Sequence, residues 1–432
     1  MAMNCPNCGQ QLLDGAGFCR FCGQKIEQQP QQQAAGGSFC ASCGSQLLPN
    51  AAFCPKCGTP AGQTAQPNMA QGYNAGYQYA QPQQKQGGLI GAIYSMTGEE
   101  GQAEIKFGDL FSEVFKNHSR EERDELVICG TKKTTPREEN MVTAWPKPWL
   151  FSRVFIILAL TLLGLYLVIY QFENSNGFPG LMFVGALLVP FPVMILMWEL
   201  NVPRNISIVD CVSIFFTGGV MSLICALIGF ALTEKANLEQ LGYAILIGFI
   251  EETAKAIIVA YYLNKRQDRY VLNGLVIGSC VGAGFAVFET AGYIFNNLIA
   301  GGFDAMMKVL WLRAFLAVGG HVLWAAVEGA GLMIAKGDNR PFSMSLLWNG
   351  KFIGFYMICV ALHALWDAGI EFGSEIYLSQ IVCCVIIIIV ALTLVSAGLK
   401  QAVRYSNAAK QGKPIGVMPQ PMQQPQQPNV RV

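Results

Sequence analysis

From Trp149 to about residue 400 the chain is a series of apolar runs, each long enough to cross the roughly 30 Å of a bilayer's hydrocarbon core. Hydrocarbon offers backbone amides no partner, so such runs fold as helices that satisfy their own hydrogen bonds. Spans are expected near 151–171, 178–199, 208–232, 240–263, 271–299, 309–335, 348–371 and 376–398. The fold class that follows is an all-α polytopic membrane protein of about eight transmembrane helices. Whole-chain composition hides this: 52% hydrophobic and 13% charged are averages that include a polar N-terminal third.

Basic residues choose the orientation. Loops on one side carry Arg204; Lys265, Arg266 and Arg269; Lys336 and Arg340; and Lys400 and Arg404, whereas the alternate loops hold only Lys235 and Lys308. Lys132, Lys133, Arg137 and Lys147 precede the first span and agree with the richer side. The opening MAMNCPNCGQQ has no apolar signal-peptide core. The expectation is a multi-pass protein of the cell membrane with both termini cytosolic.

Eight of the fifteen cysteines form one pattern twice: Cys5, Cys8, Cys19 and Cys22, then Cys40, Cys43, Cys54 and Cys57. Each copy is C-x2-C, ten residues, C-x2-C, and each C-x2-C turn offers two thiolates to one side of a tetrahedral zinc ion. A reducing cytosol favours zinc over disulfides. Two structural Zn2+ ions are therefore expected, one in each of two minimal ribbons. Arg20, Lys25 and Lys56 face Asp14 and Glu27 in residues 1–60, which is no basic patch and argues against a nucleic-acid partner. A protein partner suits the ribbons better.

The organisation read from these features is ribbon 1 at 1–26, a Gln-rich linker at 27–38, ribbon 2 at 39–60 and a Gln/Pro/Gly-rich linker at 61–87. A small helical juxtamembrane domain follows at 88–148, the helix bundle at 149–400 and a disordered cytosolic tail at 401–432. Within 88–148, Ser119 to Glu122 has the form of a capping box, and Leu110, Phe111, Val114 and Phe115 have helical spacing. His118 reads as a solvated surface residue there. Cys211, Cys225, Cys280, Cys359, Cys383 and Cys384 read as small packing residues.

The fourth span is the anomaly. GFIEETAKAIIV puts Glu251, Glu252 and Lys255 into hydrocarbon at a cost of roughly 8–10 kcal/mol on the insertion scale, about what its apolar residues return. Gly248, Glu251, Glu252, Lys255 and Val259 share one helical face, so that face must look into the bundle. The next spans supply company. Span five carries a small-residue stripe, Gly274, Gly278, Gly282 and Ala286, with Glu289 beyond it on about the same face. Span six holds His321, and span seven holds His363 and Asp367 at i and i+4. Counted along those spans, Glu251, Glu289, His321 and His363 lie at one level, roughly 14–18 Å from the external ends. Four ionisable groups on four helices at one depth point to one internal functional site. Glu328, nearer the cytosolic end, reads as structural; Trp324 and Trp366 either line the site or pack.

Those residues fall into four ordered motifs: Glu251–Lys255 as EExxK, Phe285–Glu289 as FxxxE, His321, and His363–Asp367 as HxxxD. Over about 150–400 the chain resembles the PrsW family of intramembrane proteases, within the superfamily of the CAAX prenyl endopeptidases. The resemblance implies hydrolysis of a peptide bond in or near the transmembrane segment of a membrane-protein substrate, such as a single-pass anti-sigma factor. It implies a catalytic group of Glu251, Glu252, Lys255, Glu289, His321, His363 and Asp367. Glu251 would act as general base, Glu252 would be anchored by Lys255, His363 and Asp367 would hold the oxyanion, and His321 would assist the water or the amine. The prenyl endopeptidases resemble EExxxR and FxxxH where this chain has Lys255 and Glu289. No HExxH pattern is present, which favours a metal-free glutamate protease, although three glutamates and two histidines also make a zinc ligand set. Two readings from other classes stand beside it. A proton- or ion-coupled transporter would also carry midplane charges but should show repeat symmetry, and a membrane scaffold would need no chemistry.

Overall fold

The computed structural model describes residues 87–413 apart from 100–101, 143, 234–238, 339 and 369–376, so the eight ribbon cysteines lie outside the described residues. Those residues form α-helices and short 3-10 turns, with no strand among them. In chain order the helices are α1 (Gly88–Thr97), α2 (Arg120–Val127), α3 (Leu150–Tyr170), α4 (Phe178–Leu187), α5 (Pro190–Glu199) and α6 (Ile208–Thr233). They continue as α7 (Gln240–Arg266), α8 (Val271–Leu316), α9 (His321–Lys336), α10 (Gly350–Ala368) and α11 (Tyr377–Lys410). The protein is an all-α polytopic membrane protein. Six stretches are long and apolar enough to cross a bilayer, one of them the continuous run Val271–Lys336. Although α7 has the length, with 27 residues, its charges keep it out of that group.

Local chemistry sets several boundaries. Ser119 and Glu122 close a reciprocal capping box at the start of α2. The first turn of α3 is capped from a distance: the N–H groups of Trp149, Leu150 and Phe151 donate to the buried Glu199 carboxylate at 2.8, 2.9 and 2.9 Å. The single span expected at 178–199 is two short helices, because Pro190 lacks an N–H and disfavours helical geometry at Val189. The expected spans at 271–299 and 309–335 are also rearranged. Gly302 sits at φ 71°, ψ −161° inside α8, so the chain doubles back there. A straight helix would separate residues 289 and 313 by about 36 Å, yet their side chains touch. The returning segment ends at Leu316, and α9 starts only at His321.

The glycine stripe is where α8 meets α9. A Cβ on Gly274, Gly278 or Gly282 would stand 2.2, 2.0 or 2.2 Å from the carbonyl oxygens of Gly329, Ala325 or His321, so the two backbones touch. On its other side Gly284 meets the Phe215 carbonyl of α6, 2.0 Å from where its Cβ would be. Every residue of α9 from Val322 to Lys336 is buried, which makes it the central helix. Outward-facing residues such as Ile157, Leu160, Phe249, Ile257 and Phe315 are large, apolar and exposed, as a surface meant for lipid requires.

Four expectations for the flanks change. Residues 88–148 are no separate domain: Leu110, Leu126, Cys129 and Met141 join the same core as the bundle, and the Glu104 N–H donates to Ser396 Oγ at 2.8 Å. Phe111 and Phe115 are exposed, because a 3-10 turn at Phe107–Leu110 replaces the expected helix. His118 is not solvated: its ring stacks on Trp149 at a centroid distance of 4.0 Å, and its side chain is 12% exposed. At the other end α11 runs to Lys410 rather than stopping at 398, because Arg404 and Tyr405 bond Asp338 and Gln401 accepts the Val271 N–H. Of the six cysteines expected to pack, Cys225 is exposed and Cys384 half-buried; the others are buried.

Gly278→Val should be destabilising by about 1–3 kcal/mol or more, since backbone must move to admit the side chain. Gly292→Ala, with nothing within 4 Å of its new Cβ, should be close to neutral. Thermal unfolding of the two variants in detergent checks the contrast.

Candidate active site

The site forms where α7, α8, α9 and α10 meet. On α7, Glu251, Glu252 and Lys255 are all buried, at 4%, 0% and 0% exposure, while Phe249, Ile257 and Tyr261 on the opposite face are exposed. The Lys255 ammonium donates to Glu252 Oε1 at 2.7 Å and to His321 Nδ1 at 2.8 Å, and it lies 3.9 Å from Glu251 Oε2. It also stands 4.6 Å from the Phe285 ring centre, so an aromatic face adds to its stabilisation. Its tight partner is therefore Glu252 rather than Glu251. Glu252 Oε1 takes a second hydrogen bond, from His363 Nδ1 at 2.6 Å.

The histidines are oriented by these bonds. His321 accepts from Lys255 at Nδ1, so Nε2 carries the proton and donates to Glu289 Oε2 at 3.0 Å. Both of its nitrogens are engaged. His363 spends its Nδ1–H on Glu252, which leaves Nε2 facing Glu251 Oε2 at 3.6 Å and Asp367 Oδ2 at 3.4 Å. Trp324 stacks on the His363 ring at 4.5 Å and Trp366 meets Trp324 edge-on at 5.7 Å, so both tryptophans belong to the site wall. Glu251 Oε2 is buried and accepts no hydrogen bond. All seven residues singled out from the sequence lie in this one connected cluster.

Arg313 belongs to the cluster too and was not singled out from the sequence. It bonds Glu289, donates from Nε to Thr290 Oγ1 at 2.9 Å and stacks its guanidinium 4.4 Å from the Tyr293 ring centre. Its signal was a lone cation in an apolar span, which by the same rule that picked out Glu251 demanded a partner. A cavity of about 360 Å³ opens over Glu251, Glu289, Arg313, His321, His363 and Asp367. A second, largely apolar cleft of about 780 Å³, lined by Leu227, Tyr243 and Phe288 among others, reaches Glu251 and Glu289 from the side of α6. Ile247 and Tyr293 line both spaces and form the threshold between them.

Glu251, His321 and His363 can each present one donor atom within 4.8 Å of the others. Tetrahedral zinc with bonds of about 2.0–2.1 Å needs donors roughly 3.3–3.4 Å apart, and the Glu251–His363 and Glu251–His321 distances are 3.6 and 3.8 Å. The donor set and the unpartnered Glu251 oxygen fit such an ion. Lys255 competes with it, because the ammonium already holds the His321 Nδ1 lone pair.

Residues 207–395 match the family model described as PrsW family intramembrane metalloprotease, a stretch from α6 into α11 that contains the whole cluster. Residues 5–58 match the model of the double zinc ribbon. The chain matches no curated protein and no solved structure.

Removing Lys255 strands an ionised Glu252 in the protein interior. Lys255→Met should therefore lower stability by about 3–5 kcal/mol, and the double variant Lys255→Met/Glu252→Gln should recover part of that loss. Denaturant or thermal unfolding of the purified proteins measures both.

Proposed function

We propose that the protein is an endopeptidase that cleaves a membrane-protein substrate in the cavity over Glu251, a reading supported by the match of residues 207–395 to the PrsW family model. The observation that carries this reading is the Glu251 carboxylate: buried, unpartnered at Oε2 and open to the cavity between two oriented histidines. Such an oxygen is a natural acceptor for a proton of water.

Glu251 would take the proton of the attacking water and return it to the leaving amine. His363, as an imidazolium with Nδ1–H on Glu252 and its ring stacked by Trp324, would donate its Nε2–H to the developing oxyanion, with Asp367 balancing its charge. His321 has neither nitrogen free, so it fits a role as a wall that transmits the Glu289–Arg313 pair to Lys255 better than a role as base. A substrate segment would come from the lipid side through the apolar cleft, over Ile247 and Tyr293, while water fills the polar cavity beyond. The double zinc ribbon would recruit or sense a protein partner on the cytosolic side. A substrate that is a single-pass regulator, such as an anti-sigma factor, suits a lateral cleft of this kind.

The Glu251–His321–His363 triangle supports a second catalytic type. A zinc ion there would be held by those three residues and would supply Lewis-acid activation of water and carbonyl. In that case Glu251 would be a ligand, and Lys255 would rest on Glu252 alone. The metal-free reading is preferred because Lys255 already satisfies His321.

Glu251→Gln should lower cleavage about 10²–10⁴-fold without loss of folded protein. Protein N-termini compared in membranes of cells with wild type, this variant or no copy would show new termini near a transmembrane segment only with wild type. Identical profiles would move the weight to a transporter or a scaffold. Zinc content separates the catalytic types. Wild type and Glu251→Ala/His321→Ala/His363→Ala should carry the same zinc per chain, all of it in the ribbon cysteines. A loss of one equivalent in the triple variant would establish the metalloprotease.

A further inference from the structure

Among the described residues, Glu328 is the one buried carboxyl near the site that has no part in the chemistry above. It lies on α9, is 0% exposed, and neither of its oxygens accepts a hydrogen bond from any donor of the described residues. Its carboxyl is within hydrogen-bonding reach of the Glu252 side chain across the α7–α9 contact. Glu252 shows a matching asymmetry. Its Oε1 takes both Lys255 and His363, whereas its Oε2 is equally buried and accepts nothing. Two ionised carboxylates cannot satisfy each other, and each unmatched charge in such an interior is costly.

The local charge count points the same way. Lys255 is matched by Glu252, and Arg313 by Glu289. No cation remains for Glu328: the Lys255 ammonium is directed at Glu252, His321 and Glu251, and the other ionisable groups facing Glu328 are Tyr356 and Cys359 of α10. A proton between Glu328 and Glu252 removes the surplus charge and pairs Glu252 Oε2 with one Glu328 oxygen, leaving only the uncharged carbonyl oxygen of Glu328 without a donor.

We propose that Glu328 is a resident carboxylic acid that donates its O–H to Glu252 Oε2, acting as the positioning residue that holds the Glu252 carboxylate in place beneath the site. With Oε2 anchored, Glu252 cannot exchange its two oxygens, so Oε1 stays on Lys255 and His363. The anchor thereby keeps His363 Nδ1–H on Glu252 and turns its Nε2–H toward the cavity beside Glu251. The location of the proton is independent of the proteolytic reading; only its consequence for cleavage rests on it.

Infrared spectra of the full-length protein in lipid test the proton directly. The difference between wild type and Glu328→Gln should show loss of one un-ionised carboxylic acid carbonyl band that shifts only slowly in D2O. No such lost band would overturn the assignment, whatever the protein cleaves. Cleavage, read on the substrate found by N-terminal profiling, gives the second arm. Glu328→Gln supplies an amide donor in place of the O–H and should stay within about threefold of wild type, whereas Glu328→Leu should fall roughly ten- to hundred-fold. If both fold with wild-type Tm and Gln is as damaging as Leu, an ionised Glu328 is what the site needs and the proposal fails.

Discussion

The Lys255 ammonium is the interaction on which the rest of the bundle depends. It is wholly buried on α7, a helix whose opposite face is apolar and exposed, and it is held by Glu252, by His321 and by the Phe285 ring. None of those contacts is available in lipid, so α7 can be stable only with α8, α9 and α10 closed around its charged face. The glycine contacts between α8 and α9 follow from the same demand. Bringing His321 of α9 within reach of both the ammonium on α7 and Glu289 on α8 requires backbones closer than side chains with a Cβ allow. What looks like an active site decorating a fold is also the electrostatic reason for the fold.

The cluster separates two solvents. Ile247 and Tyr293 stand between a largely apolar cleft beside α6 and a cavity ringed by charged side chains, and Glu251 and Glu289 border both. A peptide bond and a water molecule are soluble in different places; a hydrolase embedded in a bilayer must bring them to one atom. The Arg313 guanidinium pins Tyr293 by its ring and Glu289 by its carboxylate, so the threshold and the charge network share one anchor.

Much of this was legible in the sequence, for reasons tied to periodicity. The inward face of α7 follows from the spacing of Glu251, Glu252 and Lys255, and the stripe Gly274, Gly278 and Gly282 announces a close helix contact before any partner is known. Breaks were harder to read. Counting along 309–335 treated His321 as a mid-helix residue, whereas it opens α9 after a turn in which Gly319 abuts Cys384. The reversal at Gly302 was invisible because a lone glycine in an apolar run has no partner in sequence, and with it the Glu289–Arg313 pair was missed. His118 was misjudged for the same reason: polar neighbours in sequence say nothing of Trp149 stacking from 31 residues away. Glu328 was set aside by its depth along the chain, although across the helix contact it meets Glu252.

The burial of α9 has a consequence for its stability in a membrane. This helix is 16 residues long, about 24 Å, which falls short of the hydrocarbon thickness. It has no face turned outward. Released alone into a membrane it would present Glu328 to acyl chains with nothing to compensate it. The stability of α9 in a membrane is therefore tied to the hairpin before it, whose glycine seam covers it, and to the helices whose apolar sides meet the lipid.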